Sequence, residues 1–298
     1  MTVARRVAIV GATGQLAHDL TRVWAEHCPG DEMVGLTHAD VEVADLSSVR
    51  AALRARRPGL VINTSAYHKV DVVEGDPDRA FAVNATGVRH LALACRELDA
   101  VLVHMSTDYV FSGRKAVPYS ETDTPDAINV YGVSKAAGES LLRYLWPKHF
   151  IVRSSGLYGV AGSSGKGGNF VELMFRLARD GKPIRVVNDQ TLTPTATRAL
   201  AAQIALLSRT AAYGTYHATC EGQCTWFEFA AEIFRQVELP VALSPQTTAE
   251  SGARARRPPY SVLDNRGLRL LGLNRMPSWQ DALVDYLVER KTTVDTAL

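Results

Sequence analysis

The sequence predicts a doubly wound α/β fold, a parallel sheet with helices on both faces, followed by a smaller, mixed α/β lobe. Three observations carry this reading. Short apolar runs alternate four times with segments of helical period, the pattern of successive βαβ units. A glycine turn directly follows the first run. After Arg153 the texture changes to short, glycine- and serine-punctuated pieces. These features divide the chain into a dinucleotide-binding part, 1–153, and a substrate-binding lobe, 154–298, with a soft boundary that leaves room for later strands to return to the main sheet.

Residues 6–10, Arg-Val-Ala-Ile-Val, read as a buried parallel strand. It runs into Gly11-Ala-Thr-Gly14-Gln15-Leu16-Ala17, and Leu16, Leu20, Val23 and Trp24 then recur at helical spacing. Glycines let backbone approach a diphosphate, and the helix N-terminus supplies N–H donors and a favourable dipole. The spacing is G-x-x-G-x-x-A, and Ala17 is small enough for close packing of helix on strand. Residues 32–36 form the second strand. It ends at Thr37-His38, which supplies neither the acid that favours a ribose 2′-hydroxyl nor the cation that favours a 2′-phosphate. Asp45-Leu46 suits the neighbourhood of an adenine, and Asp45 equally suits the N-cap of the helix that follows.

The third strand, 59–62, leads to Asn63-Thr-Ser65-Ala66-Tyr67, whose small residues permit a ligand's close approach. Asn84 lies in an otherwise apolar helical pattern and needs a partner, because buried amides are costly when unpaired. The fourth strand, 101–105, places Ser106 and Thr107 at its C-terminal end, the edge at which ligands bind in doubly wound sheets. A polar loop covers 112–129. A helix opens at Tyr131, and 149–152 form a fifth strand. Beyond it come a Gly/Ser-rich loop at 159–168 with Lys166, read as a lid; helices over 169–179, 196–207, 225–234 and 278–289; and strands at 184–187 and 214–217.

Tyr131 and Lys135 are four residues apart and share a helix face. A lysine cation beside a tyrosine lowers its pKa from about 10, and the Thr107 hydroxyl can hydrogen-bond a reacting oxygen. Together they form a proton relay for carbonyl and alcohol chemistry.

Composition removes other classes. The 298 residues carry a formal net charge of +2 and no long run of one sign, so neither nucleic acid nor a membrane surface is an expected partner. Cys28, Cys95, Cys220 and Cys224 are too sparse for a disulfide framework. Cys220 and Cys224 lack companions for a four-ligand metal site. No leader or apolar span is evident, and a cytoplasmic protein is expected.

These motifs resemble the extended short-chain dehydrogenase/reductase family and, within it, the dTDP-4-dehydrorhamnose reductase family. The likeness rests on 11–16, Ala-Tyr-His-Lys-Val-Asp at 66–71, Ala-Val-Asn at 82–84, Ser-Thr-Asp-Tyr-Val-Phe at 106–111 and Val-Tyr-Gly-Val-Ser-Lys at 130–135. Asn-Asp-Gln-Thr-Leu-Thr-Pro-Thr at 188–195 and Arg-Pro-Pro-Tyr-Ser at 257–261 extend it almost to the C-terminus. The resemblance implies reduction of the 4-keto group of a dTDP-4-keto-6-deoxyhexose by NADPH or NADH. Tyr131 would protonate the developing alkoxide, Lys135 would tune Tyr131 and hold the nicotinamide ribose, and Thr107 would hydrogen-bond the keto oxygen. Gly11, Gly14, Gln15, Leu16, Asp45, Leu46, Ser65, Ala66, Tyr67 and Asn84 would join Tyr131 and Lys135 around the cofactor. Asp108 and Tyr109 would line the sugar pocket with Thr107, and Asn169 and Arg257 would serve the nucleotide end. A homodimer is compatible with it.

Two departures stand out. Relatives commonly carry a tryptophan after the Arg-Thr-Ser segment, whereas Ser155 is followed here by Gly156, which predicts freed space beside the sugar. Some relatives hold Mg²⁺ between acids at a dimer contact. Asp19 stands near one such position without a cluster, so no metal is expected. A 4,6-dehydratase of this fold would need an acid where Tyr109 stands, and the glycine turn is of the reductase rather than the epimerase type. The chain also resembles the regulatory β subunit of methionine adenosyltransferase, a binding partner of the same fold; Thr107, Tyr131 and Lys135 favour the enzyme.

Overall fold

The computed structural model describes residues 5–161 and 168–295. Its centre is a six-stranded, all-parallel sheet: β1 (Arg6–Val10), β2 (Glu32–Leu36), β3 (Leu60–Asn63), β4 (Val101–Thr107), β5 (His149–Ser154) and β6 (Gly214–His217), in the spatial order β6-β5-β4-β3-β1-β2. Strand side chains alternate between faces, and both faces are apolar. Val7, Ile9, Ile62, Val103 and Val152 point to one core, shared with α1 (Gln15–His27) and a helix at Thr197–Leu207. Ala8, Val10, Val61, Leu102 and Ile151 point to a second, under α2 (Leu46–Arg56), α3 (Gly87–Leu98) and α4 (Val130–Leu145). Two-sided burial is why these strands are continuous apolar runs.

The chain reverses direction across the sheet at β1, which pairs with β2 on one side and β3 on the other. The turns after β1, β3 and β4 therefore open on one edge, at the switch point of the winding. Residues beyond 153 contribute β6 and the helix Thr197–Leu207 to this larger layer, the return that the soft boundary allowed for. A separate apolar cluster, including Tyr158, Val171, Met174, Phe229, Ile233, Trp279 and Leu283, forms the core of the smaller lobe. Its helices are Phe170–Arg179, Trp226–Gln236 and Trp279–Asp295. A parallel pair of strands, Ile184–Val187 and Leu243–Gln246, lies with them.

β4 and β5 each run two residues beyond the expected limits. Their last residues are buried although polar, because side chains rather than solvent satisfy them: Ser106 donates to Glu139 at 2.6 Å, and Arg153 grips Glu139 at 2.6 and 2.8 Å. The α4 helix begins at Val130, one residue early, because Asn129 caps it by accepting the Gly132 N–H at 2.8 Å. All four cysteines are free and buried. No described helix is long and apolar enough to cross a membrane.

Candidate active site

The glycine turn forms as the spacing demands. Gly11 has φ +87°, and a Cβ there would stand 2.8 Å from the Ser65 backbone nitrogen, so only glycine lets β1 and the post-β3 segment come together. Gly14 is the N-cap of α1 and brings no side chain to its free N–H groups, and no acid lies in the first turn. That donor set fits a dinucleotide diphosphate. Gln15 reaches across to the Leu157 carbonyl at 3.2 Å, and its own Oε1 is buried without a partner. Leu16 packs into the core beneath the turn. Asp45 caps α2, accepting from the Ser47 N–H and hydroxyl at 2.8 and 2.7 Å.

An acid that the spacing alone did not bring to the end of β2 is folded back onto it. Asp40 accepts from the N–H and the hydroxyl of Thr37 at 2.8 and 2.6 Å, and those bonds hold its carboxyl below the usual range. His38 is exposed and faces Glu42 at 3.5 Å.

Asn84 has its partners, and they explain its place. Its amide brackets Tyr67, accepting from the N–H and donating to the carbonyl, both at 2.9 Å, and donates to Ser134 of α4 at 3.0 Å. It thus ties the Ser65–Ala66–Tyr67 segment to α4. Close packing there needs small residues: a Cβ at Gly138 would stand 2.2 Å from the Asn84 carbonyl oxygen. Ser65 turns back to Asn63, donating through both N–H and hydroxyl.

At the end of β4, the Thr107 hydroxyl neighbours the Tyr131 phenol. Burial and the Asp108 carboxyl push the Tyr131 phenol above its ordinary pKa, and Thr107 pulls against them. Asp108 is buried, accepting from Thr107 at 2.9 Å and Ser155 at 2.8 Å. Burial raises its carboxyl, opposed by hydrogen bonds from Ser261, Ser155 and Thr107. The Tyr109 ring meets Tyr131 edge-on at 6.0 Å. Thr107, Asp108, Tyr109 and Tyr131 therefore stand together at the sheet's C-terminal edge.

Lys135 departs from the expected arrangement. It is almost fully buried, and its Nζ turns away to the β4 backbone, donating to the Met105 carbonyl at 2.6 Å with His104 Nε2 at 3.3 Å. Burial lowers its pKa to about 8, with Glu139 opposing. The expectation that the lysine cation depresses Tyr131 is corrected: Lys135 is not among the groups that shift it. A buried ammonium must find acceptors, and the nearest are on the strand.

The outlying candidates are firmly engaged. Asn169 caps the helix Phe170–Arg179 and donates to the Gly159 carbonyl at 2.8 Å. Arg257 pairs with Asp71 at 2.7 Å. The adjoining Arg256 carbonyl accepts from Asn129 at 2.9 Å, so this late segment clamps the cap of α4. Asn129, Asp71, Ser155 and Ser261 were missed as site residues; an Asn ahead of the helix start is the one signal that could have revealed Asn129. Lys166 and residues 162–167 lie outside the described residues.

The expected gap at Gly156 is also corrected. Gly156 has φ +57°, and a Cβ there would stand 2.9 Å from Leu192 Cδ1 and 3.1 Å from Pro194 Cα. The residue is a left-handed turn closed by the 192–194 segment, not vacated space.

Asp19 is buried, with one carboxylate oxygen accepting from the Thr197 hydroxyl and the other without a hydrogen-bond partner. The Arg22 guanidinium lies 3.6 Å from Asp19 and bonds Glu289, which Arg198 also meets at 3.4 Å. Burial, with Glu289, raises the Asp19 carboxyl, opposed by Thr197, His18 and Arg22. Among the described residues no group of three or more His, Cys, Asp or Glu side chains could hold a metal.

A family model described as the RmlD substrate binding domain matches residues 5–292. The chain belongs to the dTDP-4-dehydrorhamnose reductase family. It is 39% identical to the spore coat polysaccharide biosynthesis protein SpsK of Bacillus subtilis over 97% of this chain and 99% of that protein. It is 39% identical to a dTDP-4-dehydrorhamnose reductase of Streptomyces griseus over 94% and 92% of the respective chains. A crystal structure of the Bacillus anthracis dTDP-4-dehydrorhamnose reductase in complex with NADP superposes with a TM-score of 0.91 at 39% identity, covering 96% of this chain and all of that one. Family membership agrees with the edge on which the site is built.

Proposed function

We infer that the protein is an NAD(P)H-dependent reductase of the 4-keto group of a dTDP-4-keto-6-deoxyhexose. The observation that carries the reading is the meeting of Thr107, Asp108, Tyr109 and Tyr131 at the C-terminal edge of the sheet, beside the glycine turn, in a chain that matches the family model over residues 5–292. The cofactor, when bound, supplies a hydride to C4.

The chain's residues handle the proton. Tyr131, held protonated by burial and by Asp108, is an acid poised to protonate the oxygen as negative charge develops there. Thr107 would turn its one hydroxyl hydrogen from Asp108 to the same oxygen, where stabilisation of developing charge is usually the largest catalytic term. Asp108 fixes Thr107 through its hydrogen bond, and Tyr109 walls the sugar side. Gly11, Gly14 and Gln15 hold the diphosphate end; Asp45 and Leu46 lie towards the adenine; Ser65, Ala66, Tyr67 and Asn84 shape the floor between the turn and α4. Lys135 reaches the nicotinamide ribose by leaving Met105. Asn169 and Arg257 act at the nucleotide end through the segments they pin.

The test is oxidation of NADPH with a dTDP-4-keto-6-deoxyhexose, followed by NMR of the product. Turnover with reduction at C4 is expected. Absence of turnover with a folded, NADPH-binding protein would overturn the reading.

A further inference from the structure

The buried Asp108 carboxylate is held by hydroxyls from three separate stretches of chain. Thr107 donates to Oδ1 at 2.9 Å and Ser155 to Oδ2 at 2.8 Å. The Ser261 hydroxyl neighbours the same carboxyl and favours its charged form. The fold brings these groups together. β4 and β5 pair in register as far as Thr107 and Ser154, so Asp108 and Ser155 follow side by side. Ser154 turns its own hydroxyl to the Ala218 carbonyl at 2.8 Å. Ser261 is buried, and its N–H is fixed to the Thr191 carbonyl at 2.8 Å.

Thr107 has one hydroxyl hydrogen. Its Oγ1 also accepts from the Tyr109 N–H at 3.2 Å, so the oxygen is anchored while the hydrogen can rotate. When that hydrogen turns to a keto oxygen, Asp108 Oδ1 loses its donor, and a buried carboxylate short of donors is costly. Ser155 stays on Oδ2 throughout. We propose that Ser155, seconded by Ser261, is a positioning residue of the reduction: it holds Asp108 by the other oxygen and so releases the Thr107 hydrogen to the substrate. This rests on Thr107 meeting the keto oxygen.

The titratable neighbours agree with a charged Asp108. Tyr131 of α4 and Tyr109 of the same turn are both pushed up, first by burial and then by the Asp108 charge. Arg257 and Asp71 act on Tyr109 with opposite signs. Burial raises the Asp108 carboxyl, and Ser261, Ser155 and Thr107 oppose it, in that order. With protonated phenols beside it, Asp108 depends on these hydroxyls to stay ionised.

Two measurements test the proposal. The first is independent of turnover. In the intact protein with ¹³C-labelled aspartate, the side-chain carboxyl carbon of Asp108 reports its charge, the signal being identified by its loss in Asp108→Asn. A carboxylate at neutral pH is expected. Its titration should move to higher pH in Ser155→Ala and in Ser261→Ala, because each change removes a donor to the charged form, and stay in place in Ser154→Ala. A protonated Asp108 at neutral pH, or a titration that ignores Ser155, overturns the proposal. The second is kcat with NADPH and a dTDP-4-keto-6-deoxyhexose. Ser155→Ala should lower kcat about tenfold, the scale of one hydrogen bond to a charged group, with KM for the sugar nucleotide and NADPH affinity unchanged. In a Thr107→Val background, which has no hydrogen to release, the same change should cost less than about twofold. Equal losses in the two backgrounds, or a loss confined to KM, overturn the proposal. Should Ser155→Ala fail to fold, Ser261→Ala, on a separate segment, goes through both measurements. A native protein that binds NADPH without turning over would instead overturn the reductase reading, and the Asp108 titration would still report on Ser155.

Discussion

Gly132 lies against Tyr109 so closely that a Cβ on it would stand 2.0 Å from the Tyr109 carbonyl oxygen. α4 and the turn that carries Asp108 and Tyr109 meet backbone to backbone, and that contact seats the Tyr131 end of the helix against the end of β4. Gly132→Ala should therefore force the two apart. We expect a loss of about 3 kcal/mol in denaturant unfolding, the upper range for overpacking, with a fall in kcat larger than the loss of NADPH affinity. An alanine variant of unchanged stability would mean that the contact is slack.

Tyr131→Phe removes the acid and keeps the ring. Reduction should fall by about two to four orders of magnitude, the usual size of general acid catalysis. NADPH binding, followed by fluorescence, should change little. Turnover near that of the native protein would remove Tyr131 from the mechanism.

Cofactor choice should be weakly biased. Thr37 and His38 supply no cation for a 2′-phosphate, and Asp40 is bonded at the same strand end. A preference between NADH and NADPH below about a hundredfold, or roughly 2.7 kcal/mol, is expected. Asp40→Ala should move the ratio of kcat/KM values towards NADPH by about fivefold, the scale of one solvent-exposed charge interaction. No movement, or movement towards NADH, would place the ribose phosphate away from Asp40.

Gly156→Trp tests whether the family's tryptophan has an empty place waiting for it. The left-handed backbone and the contacts with Leu192 and Pro194 say that it does not. The substitution should destabilise the protein by at least about 2 kcal/mol, combining backbone strain and overpacking. A variant as stable as the parent, with altered sugar KM, would restore the idea of an open wall.

The limits of what the sequence reveals follow physical lines. β1 and β2 were legible to the residue because apolar runs end at turn-forming residues. The ends of β4 and β5 were not, since Thr107 and Ser154 are buried by partners distant in sequence. Tyr131 and Thr107 were singled out through their spacing and their place at a strand end, and the fold brings both to that edge. The direction of Lys135 was hidden, because it depends on a carbonyl of β4 and on a histidine that a single sequence presents as one more residue in an apolar strand. Gly156 was misread for a similar reason: what closes its space arrives from 192–194.

β6 and the helix Thr197–Leu207 have a consequence for how the protein is made. The outer edge of β5 pairs with residues 214–217, and α1 packs against 200–207. A nascent chain that has emerged only as far as residue 153 holds the glycine turn, Thr107, Tyr131 and Lys135, yet presents an unpaired parallel edge and an uncovered apolar face. Such surfaces invite association with other chains. Synthesis must proceed some sixty residues further before the first half can close, so a shortened dinucleotide-binding fragment should aggregate rather than fold into a cofactor-binding module.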